Sequence, residues 1–181
     1  MSAEGLLRGL SRGRKAVIAV STCCLVALAL ILAFGSGGGS SQASSAQPFA
    51  RKFTLPALGH PGVVSLSQYA GRPVIVNFFA SFCGPCKKET PLLGSFYRAR
   101  HGQVAVIGVD VNDGAASALR FVRAARASYP IGADTAAATA TGYGVVAIPQ
   151  TFFLDAAHRI VKRVFGAVTP ADLAAGVTRM R

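Results

Sequence analysis

Two cysteines separated by a glycine and a proline, Cys83 and Cys86 in SFCGPCKKETP (Ser81–Pro91), are the residues of this chain best placed to do covalent chemistry. Three uses suit a C-x-x-C pair. A structural zinc site needs four ligands, usually a second Cys or His pair at short spacing. The histidines His60, His101 and His158 stand singly and far apart, which argues against a metal. A structural disulfide across two residues closes so small a loop that it constrains the unfolded chain little. A working dithiol needs its first sulfur at an exposed mouth, in a field that favours the thiolate, and its second close enough to resolve a mixed disulfide. That third use makes a definite demand on the surroundings: a strand must deliver the pair and a helix must begin on it.

The flanking sequence meets the demand. PVIVNFFA (Pro73–Ala80) is a near-continuous apolar run with a proline at its mouth, the pattern of a central strand buried on both faces. A helix is expected from Gly84 to about Arg100, with Leu92, Leu93, Phe96 and Tyr97 on its apolar side and Pro91 kinking it. A sulfur at a helix N-terminus lies among unpaired N–H groups, which lowers a thiol pKa. Cys83 is then the nucleophile and Cys86, one turn deeper, the resolving thiol.

The remaining elements alternate. FTLPAL and GVVSL flank a Gly/Pro turn and read as a hairpin. VAVIGVDV (Val104–Val111) is a second buried strand. Asp113 is placed to cap a helix from about Ala115 to Ser128, with Leu119 and Val122 inward and Arg120, Arg123 and Arg126 toward water. A short apolar stretch follows at Tyr129–Ala133. PQTFFLD and RIVKRVF read as two strands joined by a turn at Ala156–His158, and TPADLAAGVTRM as a final helix capped by Thr169 with Pro170 in its first position. This order predicts an α/β fold: a mixed central sheet flanked by helices, with an N-terminal β-hairpin.

Ahead of this domain, assigned to residues 48–181, the chain changes character. Residues 1–15 carry Arg8, Arg12, Arg14 and Lys15 against a single Glu4. Ala16–Phe34 is an uncharged run of 19 residues, close to the roughly 20 apolar residues that span a bilayer. Basic residues before the run and none just after it predict a single-pass anchor in the cell membrane, with the N-terminus cytoplasmic and all that follows extracytoplasmic. A cleaved signal peptide has the same polarity but a shorter apolar core, about 7–15 residues. Cys23 and Cys24 read as small apolar residues within the run. Gly35–Gln47 is a flexible Gly/Ser linker. The formal charge of +12 is spread along the chain without an aromatic-studded basic motif, which argues for a basic surface rather than nucleic-acid binding.

VIVNFFASFCGPCKKETPLL resembles the active-site stretch of the thioredoxin superfamily, and more closely that of the membrane-anchored TlpA/ResA-like thiol–disulfide oxidoreductases, which include cytochrome c maturation thioredoxins. The resemblance runs from about Phe53 to the C-terminus, with FTLPAL at the family's opening hairpin and VIGVDVND at its extra β–α unit. It implies a thioredoxin-like fold and places the family's cis-proline at Pro149, facing the cysteines and, with Ile148, Phe82, Gly84 and Pro85, shaping a substrate groove. Phe82 and Phe79 stand where tryptophans are common. Asn77 stands where cytosolic thioredoxins bury a titrating aspartate. Glu89 matches an acidic residue of this branch, implying a proton acceptor or a like charge that raises the Cys86 pKa; the alternative is surface pairing with Lys87, Lys88 or Arg98. Peroxidases that share parts of the fold need Thr or Ser at the position of Ala80 and Pro at that of Val76, which disfavours a peroxidase.

The function expected is an extracytoplasmic thiol–disulfide oxidoreductase that needs no organic cofactor or metal. It would reduce cysteine-containing proteins through Cys83 and Cys86. The resemblance implies the haem-site cysteines of apocytochrome c as substrate and a membrane thiol transporter as electron donor. The alternatives are a thiol oxidase that introduces disulfides into secreted proteins and, from another class, a non-catalytic binding or chaperone module with a structural disulfide and a docking face at Arg120, Arg123 and Arg126.

Overall fold

Six consecutive buried residues, Val74–Phe79, form the middle strand of a five-stranded sheet. The computed structural model describes residues 48–181; the segments 1–15, 16–34 and 35–47, for which a cytoplasmic tail, an anchor and a linker are predicted, lie outside the described residues. In chain order the elements are β1 (Thr54–Pro56), β2 (Val63–Ser65), a 3-10 turn (Leu66–Tyr69), β3 (Val74–Phe79), α1 (Cys86–Ala99), β4 (Ala105–Val111), α2 (Ala115–Ala124), β5 (Ile131–Asp134), α3 (Ala138–Gly142), β6 (Gln150–Leu154), β7 (Ile160–Phe165) and α4 (Pro170–Arg179). The sheet order is β5-β4-β3-β6-β7. β3, β4 and β5 run parallel, whereas β6 and β7 are antiparallel to their neighbours. The sheet is therefore mixed, and β1 and β2 pair separately as the expected hairpin.

Alternation along β3 divides the core. Ile75 and Phe79 join Leu93 of α1, Val122 of α2, and Leu173 and Val177 of α4. Val74, Val76 and Phe78 join Phe53 and Leu55 of the hairpin region and Tyr143 after α3. A strand buried on both faces reads as a continuous apolar run, which is why this one was legible. Thr169 and Asp172 cap α4 reciprocally, with Pro170 in its first turn, and Lys162 of β7 bonds the Asp172 carboxylate at 2.8 Å. Before β1, Ala50 N–H donates to His158 O and Ile160 N–H to Pro48 O, so residues 48–50 are hooked to the start of edge strand β7.

Three expectations change. α2 stops at Ala124 rather than Ser128, because the chain turns through Arg126 at a positive φ of 52°. Asp113 does not cap α2; Gly114 holds that position without a side-chain bond. The apolar stretch Tyr129–Ala133 leads into a true strand, β5 (Ile131–Asp134), and a short helix, α3, follows it. No local cap announces α3, because its first amides, Thr139 and Ala140, donate back to the carboxylate of Asp134 on β5.

Close approach of α4 to the sheet depends on Gly176, where a Cβ would overlap the Phe153 ring of β6. Gly176→Ala is expected to destabilise the domain by roughly 1–3 kcal/mol through overpacking, read as a lower urea midpoint at unchanged slope.

Candidate active site: a cysteine pair at a helix N-terminus

β3 ends at Phe79, and a tight turn, closed by Cys83 N–H donating to Ala80 O, carries the chain to the cysteines. Pro85 occupies the cap position of α1 with no side-chain capping bond, and Cys86 is the first helical residue. Cys83 and Cys86 are joined as a disulfide with Cα atoms 5.3 Å apart. The Cys86 backbone N–H donates to Cys83 Sγ at 3.2 Å. This amide is one of those a helix start leaves without an intrahelical partner. In the dithiol it is aimed at the sulfur that must carry negative charge, and it favours the thiolate together with the helix dipole. Cys86 is fully buried while Cys83 retains 7 % exposure, so only Cys83 can be reached from outside.

The Ile148–Pro149 peptide is cis, as the resemblance implied. Register brings Gln150 opposite Phe78, which sets Pro149 at the end of the sheet where the cysteine loop leaves β3. Ile148 packs against the cluster that contains both cysteines. Phe82 is 67 % exposed beside Cys83, and Gly84 and Pro85 are also exposed. Sequence reasoning missed Phe165. It lies opposite Gln150 on β7 and is equally exposed, and the next residue, Gly166, donates its N–H to Pro149 O. Nothing in its local sequence marks it, because only strand register brings it there.

Glu89 is the residue whose setting departs most from a surface reading. It is buried, and neither carboxylate oxygen bonds Lys87, Lys88 or Arg98. Oε1 accepts from Asn77 Nδ2 at 2.7 Å and Oε2 from the Val168 backbone N–H at 2.7 Å. Asn77 also donates to Thr151 Oγ1 at 2.9 Å, and its Oδ1 has no partner among the described residues. One carboxyl group thus ties β3, α1 and the segment leading into α4, with β6 behind Asn77. Burial pushes its pKa up to about 7, against the lowering effect of the Val168 and Asn77 bonds. With a proton on Glu89, turning the Asn77 amide over would let Oδ1 accept that O–H. The carboxyl can therefore be satisfied in both protonation states, as a group that gives and takes protons near neutrality must be. Asn77 and Thr151 were detectable as polar residues inside apolar strands; the run of bonds from Thr151 through Asn77 to Glu89 was not.

Asp113, expected as a helix cap, instead reaches the cysteine loop. Its Oδ2 accepts the Ser81 backbone N–H at 2.6 Å and its Oδ1 that of Gly114 at 2.7 Å. The histidines stay apart: His60 is exposed against Pro61 O, His158 Nε2 contacts Tyr69 O, and His101 lies in a turn. A cleft of about 520 Å³ between β7 and α4, lined by Lys162, Arg163 and Arg179 among others, contains none of the site residues.

Because Glu89 holds its proton more tightly in the folded chain than in the unfolded one, the stability it contributes is complete below about pH 4.5 and is lost as pH rises through about 7. Glu89→Gln is expected to remove a pH-dependent part of stability on the order of 2 kcal/mol across that window. Thermal unfolding of both proteins at pH 5 and pH 8.5 checks it, and equal pH slopes would contradict the assignment.

The sequence pattern of the AhpC/TSA family matches residues 47–163. Thiol-disulfide oxidoreductase ResA of Bacillus subtilis is 30% identical over 107 residues, covering 59% of this chain and 60% of the relative. Thiol:disulfide interchange protein CycY of Rhizobium leguminosarum is 32% identical over 140 residues, covering 76% of this chain and 71% of the relative. Among solved structures, StoA from Bacillus subtilis superposes with a TM-score of 0.61 at 26% identity, covering 71% of this chain and 97% of that one. The matched part spans 60–64% of the length of the ResA relatives. The two positions at which a peroxidase needs a hydroxyl and a proline remain Ala80 and Val76, both fully buried. By its sequence match and its fold, the chain belongs to the AhpC/TSA family, on the thioredoxin-like side populated by the ResA and CycY thiol–disulfide proteins.

Proposed function

We propose that this protein is a thiol–disulfide oxidoreductase that reduces disulfides in other proteins through Cys83 and Cys86. The observation that carries the reading is the pairing of a barely exposed Cys83, faced by the Cys86 amide, with a fully buried Cys86 directly behind it. The Cys83 thiolate attacks one sulfur of a substrate disulfide, forms a mixed disulfide and releases the other substrate sulfur as a thiol. Cys86 loses its proton and attacks Cys83 Sγ. The substrate leaves as a dithiol, and the enzyme is left oxidised, in the state described above. Glu89 is suited to accept the Cys86 proton, being on the same face of α1 one turn later. Phe82, Phe165, Ile148 and Pro149 offer an apolar floor for an extended polypeptide, with Gly84 and Pro85 keeping the approach to Cys83 unobstructed. Relatives named thiol-disulfide oxidoreductase and thiol:disulfide interchange protein support the same chemistry.

The finer assignment rests on the resemblance to the TlpA/ResA-like branch. The substrate is the haem-site cysteine pair of an apocytochrome c, and the electrons come from a membrane thiol transporter. The uncharged run 16–34 anchors the chain in the cell membrane and residues 48–181 work on the extracytoplasmic side. Gly84-Pro85 between the cysteines and Ile148 before Pro149 favour reduction over oxidation.

Cys83→Ser is expected to abolish turnover of a protein disulfide, whereas Cys86→Ser should accumulate the mixed disulfide, seen as a mass adduct. Equilibration of the wild-type pair in thiol/disulfide buffers should give a potential near roughly −270 mV; a value toward roughly −120 mV would reassign the protein as an oxidant that makes disulfides.

A further inference from the structure

Where the described chain begins, an aromatic ring stands bare among cations that no acid answers. Phe49 is 64 % exposed and bridges to Arg159, just ahead of β7. The Arg159 guanidinium lies over its ring, 5.4 Å from the centroid. Two residues on, Arg51 and Lys52 are exposed. Tyr143 links them to β7: its Oη donates to Arg51 O at 2.8 Å, and its backbone O accepts from Arg163 Nη2 at 3.3 Å. Arg163 and Arg179 line, with Pro48, the cleft between β7 and α4. The acids of the domain are engaged elsewhere. Glu89, Asp110 and Asp134 are buried, and Asp113 accepts the amides of Ser81 and Gly114. The two ion pairs among the described residues join Asp155 to Arg159 and Asp172 to Lys162. Arg51, Lys52, Arg163 and Arg179 thus have no acidic partner among the described residues. Strand register sets Phe49 and Arg159 at the end of the sheet remote from the cysteines. Val74, Leu154 and Ile160 align at that end, whereas Phe78, Gln150 and Phe165 align at the end from which Cys83 is delivered.

We propose that Phe49, Arg51, Lys52, Arg163 and Arg179 form a docking surface for anionic phospholipid headgroups, with the Phe49 ring seated at the boundary between headgroups and acyl chains. The proposal rests on the membrane placement proposed above for its purpose, and not on the oxidoreductase chemistry. Cations without acids suit any polyanion; the bare ring among them selects the lipid, because an amphipathic surface gains both by burying an apolar group at the boundary and by meeting phosphates with its charges. The place in the chain agrees. Gly35–Gln47 is 13 residues long and reaches at most about 45 Å even when fully extended. A domain following an anchor at 16–34 therefore stays within that distance of the bilayer, and Phe49 to Lys52 are the first part of it that the chain enters. Docked on this surface, the domain turns Cys83 away from the lipid, toward substrates beyond it. A thiol donor embedded in the membrane would meet Cys83 in the undocked state. The attraction is electrostatic, so salt sets the balance between the two: the screening length falls from about 10 Å at 0.1 M to about 3 Å at 1 M.

The chain has no tryptophan, so Phe49→Trp supplies a single fluorescent reporter in the full-length protein. On vesicles containing phosphatidylglycerol its emission should move to the blue and be quenched by brominated lipid. On vesicles of phosphatidylcholine alone it should remain that of an indole in water. Arg51→Glu together with Lys52→Glu should lower the ratio of docked to free domain by roughly tenfold or more, and added salt should reverse the blue shift. The absence of a shift on anionic vesicles, or an equal shift on neutral ones, overturns the proposal. The wild-type chain gives a second readout, mapped by mass after treatment with a water-soluble amine reagent. Lys52 should be protected on anionic vesicles, while Lys87 and Lys88, exposed at the cysteine end, stay reactive. Equal labelling of Lys52 with and without anionic lipid, or protection of all three lysines alike, overturns the proposal. Binding of polyglutamate without binding of anionic vesicles would make the surface an acidic-protein site and also overturn it. Flotation separates this proposal from the anchor. A chain that floats with both kinds of vesicle but shows no shift keeps the anchor and loses the docking surface. A chain that floats only with anionic vesicles, and is released by salt, keeps the docking surface and loses the anchor.

Discussion

A thiolate is useful only if something other than water stabilises its charge, and here that task falls to the first amide of α1. For the Cys86 N–H to face Cys83 Sγ, the helix must begin on the second cysteine, and the first must arrive from a strand that cannot shift. β3 meets the second condition because it is buried on both faces and paired on both edges. The first follows from Pro85, whose fixed φ suits a helix start and whose missing N–H costs nothing there. Other features of the domain serve this junction: the antiparallel β6 returns Pro149 to the same end of the sheet, and α4 approaches closely enough for Val168 to bond Glu89.

Polar side chains within the strands form a second layer behind the cysteines. Asn77 on β3, Thr151 on β6 and Asp110 on β4 interrupt runs that are otherwise apolar, and a buried polar group is costly unless it is partnered. Asn77 bonds both Glu89 and Thr151, whereas Asp110 Oδ1 has no partner among the described residues. In both places the acid has its pKa raised to about 7 by burial. Keeping two buried carboxyls in this core costs stability that apolar side chains in their places would not.

What could be read from the sequence is what depends on neighbours along the chain. The β3 run, the helix beginning at the cysteines, the hairpin, the turn near His158 and the Thr169–Pro170 helix start are all local patterns, and each formed close to its expected place. The failures share one cause. Asp113 precedes a helix and so looks like a cap, but its partner, Ser81, is 32 residues away. α3 lacks a local cap because Asp134 supplies one from the preceding strand. Glu89 sits among lysines in sequence and among Asn77 and Val168 in space. Phe165 comes opposite Gln150, beside Pro149, through strand register alone. Pro149 was placed by family resemblance; its composition alone suggested an ordinary proline at the start of a strand.

The hook at residues 48–50 also has a mechanical meaning. Pro48 and Ala50 are attached to the start of β7 by backbone hydrogen bonds to Ile160 and His158. β7 is an edge strand, two places removed from β3 in the sheet. A pull from the N-terminal side is therefore borne first by the rim of the sheet. β3, which leads to the cysteines, lies off that line of load, so a force applied at Pro48 would reach the reactive pair only after the rim of the sheet.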